Sequence, residues 1–244
     1  MQYNQYNNQQ YSQYDQYNQP PQYVSGSLVS NVMKRVYLTM TLGLLVTAFT
    51  SLFCAGSDSV INFFAANGWA MWVLFFAELG IVFGVSAGIN KLSTPAARAL
   101  FLLFAVINGL MLFPIFWAYT SESIAKTFFI TAGTFGAMSV YGYCTNKDLS
   151  RWGSILIMCL FGLIIASLVN IFVHSDTMGW IISIAGVLIF VGLTAWDTQQ
   201  IKTMALTAPG EAVGRLAVLG ALTLYLDFIN MFLYLLRFFG DSRD

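Results

Sequence analysis

The sequence predicts an all-α polytopic membrane protein with seven transmembrane helices. Two observations carry that prediction. Of 244 residues, 57% are hydrophobic and 9% charged, with a mean hydropathy of +0.68, whereas a soluble domain carries about 25% charged residues. The apolar residues also fall into seven stretches, each near the ~20 residues that cross a ~30 Å hydrocarbon layer. The same composition excludes other classes. Acids and bases balance at 11 each, and no basic run exceeds Lys34-Arg35, so nucleic acid has no electrostatic hold. Cys54, Cys144 and Cys159 lie far apart in apolar stretches. They read as packing residues rather than as a disulfide framework or a metal cluster.

The chain opens on a tail. Residues 1–23 hold eight Gln, six Tyr and four Asn, with no aliphatic side chain after Met1. Such a stretch cannot bury a core, so residues 1–27 read as a disordered Gln/Tyr/Asn-rich cytoplasmic tail and 28–240 as the transmembrane domain. The tail also lacks the basic and apolar regions of a signal peptide. Spans follow at 36–56, 69–89, 99–119, 127–145, 152–173, 179–201 and 216–236, and their short connections leave no room for a soluble catalytic domain. Trp69, Trp72, Trp117, Trp152, Trp180 and Trp196 fall near the ends of these spans, where indole favours the membrane–water interface. If the spans alternate, Lys34, Arg35, Lys91, Arg98, Lys147, Arg151, Lys202 and Arg215 share the side of the N-terminus, against Lys126, Arg237 and Arg243 opposite. That asymmetry places the N-terminus in the cytoplasm. A last segment that re-entered and returned would move Arg237 and Arg243 across, so charge alone leaves both topologies open. The length of 216–236 and the aromatic pair Phe238-Phe239 favour a full crossing.

Within the spans there is no Lys, Arg or His, but there are three acids: Glu78, Asp197 and Asp227. An ionised carboxylate at depth costs at least ~2.5–3.5 kcal/mol, and no internal base offsets it. Each acid must be protonated, face water, share a proton or bind a cation. A protonated carboxyl acting as interhelical glue is the plainer reading for any one of them. Three acids without a base favour cations or protons. Asp197 and Asp227 each lie fifteen residues from Ala212, in a segment where Pro209 and Gly210 mark a helix stop and restart. Two antiparallel helices turning there would bring both carboxyls to one depth. Like charges that close cannot both ionise cheaply, so the pair titrates jointly.

Other features read as architecture. Gly80, Gly84 and Gly88 form a double G-x-x-x-G stripe expected to admit a neighbouring helix. Pro114 should kink span three, Asn170 and Asn230 are placed to bond across helices, and His174 reads as a loop residue beside Asp176. There is no G-x-S-x-G, H-E-x-x-H or Walker loop, and one His outside the membrane supplies no catalytic set, so no enzyme is expected. The last span holds no lysine for a retinal Schiff base.

Ala195-Trp196-Asp197-Thr198-Gln199-Gln200-Ile201 resembles the D-x-x-x-I end of the sixth helix in the Bax inhibitor-1 (transmembrane Bax inhibitor motif) family. Leu224 through Phe232, running on to Leu235-Leu236-Arg237, resembles its last-helix signature. Asn108-Gly109-Leu110 through Phe113-Pro114-Ile115 resembles its third-helix motif, and Glu78 occupies the place of an acid in its second. The resemblance covers roughly 28–240 and points to a bacterial-type member. It implies two three-helix layers around a central C-terminal helix. It also implies a pH-sensitive calcium leak, with Asp197 and Asp227 as sensor and gate. Some bacterial relatives close with an arginine at the inner end of helix two. Here that region reads Ile89-Asn90-Lys91, which leaves Lys91 as the latch candidate, although lysine and arginine are not interchangeable. Relatives are also linked to a membrane-bound ATP-dependent protease, as substrate or modulator.

The expectation is therefore a passive cation pathway in the bacterial inner membrane. Calcium would be the permeant ion, with no resident cofactor. Glu78 would attract the ion, and Glu78, Asp197 and Asp227 would ligate it transiently, since carboxylate oxygens suit a hard cation. The rival is a membrane regulator that binds a protease or other membrane partners, its acids serving as glue. A proton-coupled transporter is a third reading.

Overall fold

The computed structural model describes residues 26–208 and 212–241. Residues 1–25 and the expected stop at Pro209-Gly210 lie outside the described residues. Helix α1 spans Gly26–Ala55, so the last two residues of the segment read as tail fall in its first turn. The short α2 (Asp58–Ala66) leads to α3 (Trp69–Gly88) and α4 (Thr94–Leu112). A one-turn helix α5 (Ile115–Ala118) follows, then α6 (Ser121–Cys144), α7 (Ser150–Val173), α8 (Asp176–Thr207) and α9 (Val213–Phe239). The break between α4 and α5 falls at Phe113-Pro114, as expected, because proline has no N–H to continue the ladder. Ser93, Thr120 and Ser175 start α4, α6 and α8 by accepting a backbone N–H three residues on.

Six of these helices are long and apolar enough to cross a membrane, counting α4 and α5 as one span. The seventh expected span corresponds to α6. Its 24 residues reach about 36 Å, but it is more polar, with Ser123, Thr127, Thr131 and Ser139 on its buried face. It still runs along most of the bundle, from a contact between Ser123 and Asp241 at one end to Tyr143, whose carbonyl accepts from Lys202 in the last turns of α8, at the other.

Three helices (α1, α3 and α4) form one layer and three (α6, α7 and α8) the other, with α9 between them. Most of α9 is buried, against almost none of α7. One end of α9 starts at Gly214 against Thr94, and the other ends where Asp241 bonds Thr120 and Ser123. The last helix therefore runs the full length of the bundle. The core around it holds Val32, Val36, Phe101, Phe104, Phe135 and Phe228, and a second cluster joins Leu163, Phe190 and Leu193 to Met231. The outer surface is apolar instead, with Phe49, Phe53, Phe76, Phe83, Phe129 and Phe172 exposed, as a chain solvated by lipid requires.

Four expectations are corrected. Gly80, Gly84 and Gly88 meet nothing within 4 Å, because α3 packs through the face of Ala70 and Val85 and turns its glycines outward. Asn230 donates to Leu226 O at 2.8 Å, inside its own helix, and Asn170 caps the turn after α7 by accepting from Ser175 N–H. Trp196 lies eleven residues before the end of α8 and packs inward on Gly153, so it is no interface marker. Of the three free cysteines only Cys54 is buried. His174 is exposed and is the one non-glycine residue at positive φ (53°) among those described, ending α7.

Candidate ion and proton site

The site is set by how α8 is held. Trp196 fills the space left by Gly153, where any Cβ would collide with the indole. Gly142 lets α6 approach until the Ala195 carbonyl occupies the place of its missing side chain. Gln199 clasps the turn between α6 and α7, accepting from Leu149 N–H at 2.9 Å and donating to Lys147 O at 2.8 Å. Asp148 in that turn accepts from Ser150 N–H at 2.9 Å, and that bond holds its carboxyl below the usual aspartate range. These contacts fix the rotation of α8, leaving Asp197 facing α9.

Along the α8–α9 hairpin, Gly179 meets Arg237, Gly186 meets Tyr234, and Ile201 meets Gly220. In that antiparallel register Asp197 and Asp227 face one another across the α8–α9 interface, close enough for their carboxyls to interact. A carboxyl–carboxyl hydrogen bond needs a proton on one of the two groups, since two carboxylates are acceptors only. Asp227 is 4% exposed, and its Oδ2 has no partner. Ser139 on α6 and Thr198 on α8 are also buried with unpartnered hydroxyls. Thr198 adjoins Asp197 in sequence, whereas Ser139 lies one turn from Gly142 on the side away from the pair, because α6 runs parallel to α8 and Gly142 abuts Ala195. Two adjacent carboxyls with a neighbouring hydroxyl can hold a proton or water.

Glu78 is elsewhere. Its Oε1 accepts from Asn108 Nδ2 at 2.9 Å. Asn108 Oδ1 accepts the Tyr225 hydroxyl at 3.0 Å, and that hydroxyl is 2.6 Å from Thr47 Oγ1. Four helices thus share one polar chain, on the face of α9 turned away from Asp227. No group of three His, Cys, Asp or Glu side chains able to hold a metal occurs among the described residues, so Glu78 stands apart from Asp197 and Asp227 rather than clustered with them. Lys91 is exposed between α3 and α4, and its ammonium has no hydrogen-bonded partner among them, so the structure does not bring the latch candidate to the pair.

Sequence reasoning missed two features. Lys202 falls beyond the expected end of span six at 201, but α8 continues to Thr207. Its ammonium donates to Tyr143 O at 2.7 Å and sits over that ring, snorkelling as lysine does. The chain from Glu78 to Thr47 was also unseen. An asparagine at membrane depth was the available signal, because its amide must find partners there.

A bundle of apolar helices around a buried carboxyl pair defines a multi-pass membrane protein. Comparison with known proteins gives its kinship: the chain belongs to the Bax1-I family, "Inhibitor of apoptosis-promoting Bax1", whose sequence model matches residues 29–244. It is 47% identical over 214 residues to "Inner membrane protein YbhL" of Escherichia coli strain K12, covering 86% of this chain and 92% of that one. An uncharacterized protein of Borreliella burgdorferi is 45% identical, with 87% and 92% covered. "Uncharacterized membrane protein SpyM3_0260" of Streptococcus pyogenes is 36% identical, with 85% and 91% covered.

Proposed function

We propose that the chain is a pH-sensitive calcium (cation) leak channel, gated by protonation of Asp197 and Asp227. The observation that supports this reading is the pair itself: two adjacent carboxyls between α8 and α9, Asp227 buried and Asp197 partly so, with no base paired to them among the described residues. While one proton is shared the helices stay together. When it leaves, two adjacent negative charges repel and attract a cation. Glu78, the remaining acid at depth, draws the ion on the other face of α9. On this reading the protein is no enzyme, has no resident cofactor, and treats calcium as cargo. Its place is the bacterial inner membrane with the N-terminus in the cytoplasm, a reading supported by the printed name of the E. coli relative and by the lysine and arginine asymmetry. Reconstitution into liposomes holding a calcium dye, scanned over pH, tests it. Flux that rises and falls with pH supports the channel, and none above empty vesicles at any pH defeats it.

The outward stripe of Gly80 and Gly84 favours a second reading, in which the protein is a membrane regulator that seats a partner helix, such as that of a membrane-bound ATP-dependent protease. That reading expects Asp197→Asn and Asp227→Asn to leave partner co-purification intact.

A further inference from the structure

Tyr225 and Asp227 are two residues apart on α9, so at 100° per residue their side chains leave the helix about 200° apart and only ~3 Å different in height. Asp227 turns to Asp197. Tyr225 turns to α1 and α4, where it is 0% exposed. Its ring is held edge-on by Phe101 at 5.7 Å and Phe104 at 5.5 Å. Gly43 leaves the room this needs, since a Cβ there would collide with Phe101 and come within 3.3 Å of the Tyr225 ring. The phenol cannot turn to other partners without moving the helix that carries it.

Its hydrogen bonds have a direction. The Asn108 amide spends Nδ2 on Glu78, so its Oδ1 is left to accept the Tyr225 proton. Thr47, 2.6 Å away and also within reach of the Gly43 and Ala105 carbonyls, completes the phenol oxygen from the other side. Donors thus run from Tyr225 through Asn108 to the carboxyl of Glu78, and such chains polarise one another. A change in the demand of Glu78, by cation binding or by a shift of α3, alters the bond that sets the position of Tyr225.

We infer that Tyr225 is a positioning residue that couples Glu78 to the Asp197–Asp227 pair through the setting of α9. The inference deepens the gating reading above and is tested apart from it. The full-length protein in lipid is measured by infrared difference spectroscopy, and the carboxyl band of Glu78 is assigned by its loss in Glu78→Gln. Asp227→Asn is expected to move that band when Tyr225 is present and to leave it in place in the Tyr225→Phe background. A band that ignores Asp227→Asn, or that moves equally in both backgrounds, overturns the coupling. Should Tyr225→Phe fail to fold, Thr47→Val loosens the same phenol from α1, and the band shift is expected to shrink in it; an undiminished shift overturns the coupling. Calcium flux of the wild type is read separately. Coupling without flux defeats the leak alone, and flux without coupling defeats this inference alone.

Discussion

Trp196 packs its indole directly on the backbone of α7 at Gly153, the position where a side chain would stand in its way. The contact sets how α8 is rotated, one residue before Asp197. Gly153→Leu is therefore expected to destabilise the bundle by about 1–3 kcal/mol, the usual cost of overpacking. It should also disturb the aspartate pair, although the substitution is distant from it in sequence. Thermal unfolding in detergent reads the first effect. An unchanged melting temperature would show that α7 yields freely.

The pair makes a sharper claim. Asp197→Asn and Asp227→Asn each remove one titrating partner while keeping side-chain size, so each should flatten the dependence of calcium flux on pH. Flux at one fixed pH is the weaker readout, because either variant can lock the pathway open or shut. Two variants with the wild-type profile would end the gating reading.

Tyr225→Phe removes one hydroxyl and leaves the ring between Phe101 and Phe104. The Asn108 carbonyl oxygen then stands buried without its donor, at a cost of about 1–3 kcal/mol. Chemical or thermal unfolding should show that loss without a change in helix content. A neutral result would mean that Asn108 finds another donor.

Leucine at Gly80 or Gly84 tests the reversed face of α3. Each position meets open space, so stability of the isolated protein should stay within about 0.5 kcal/mol of wild type. A large loss would place these glycines inside the fold after all.

Asp148 gives a pH effect with a known sign. Its carboxyl is held below the ordinary aspartate value by the Ser150 N–H and hydroxyl. A group so depressed adds stability above its unfolded value of about 4 and loses that contribution as pH falls through its lower folded value. Asp148→Ala should therefore melt earlier than wild type at neutral pH, with the gap closing in acid. A gap that persists in strong acid would assign the effect to something other than charge.

Much of the fold was legible because hydropathy reports depth. Apolar runs marked the helices, and counting outward from Ala212 put Asp197 opposite Asp227. What hydropathy does not report is direction around an axis. The glycines of α3 obey a packing pattern yet face outward, since nothing in their spacing says which neighbour is present. Trp196 looked like an interface residue because the end of α8 was set at the last apolar residue, 201. Lys202 continues the helix by burying its stem and bonding a carbonyl. The chain from Glu78 to Thr47 joins residues as much as 178 apart, and a contact of that range leaves no local trace.

The anchoring of α9 has a mechanical consequence. Gly214 is seated on Thr94 at one end, and Asp241 is tied to Thr120 and Ser123 at the other. An element fastened at both ends cannot travel along its own length. A push at its middle, where Tyr225 and Asp227 project from opposite sides, is left to act as torque. A turn about that axis would carry the two side chains sideways in opposite directions, so neither can shift without the other.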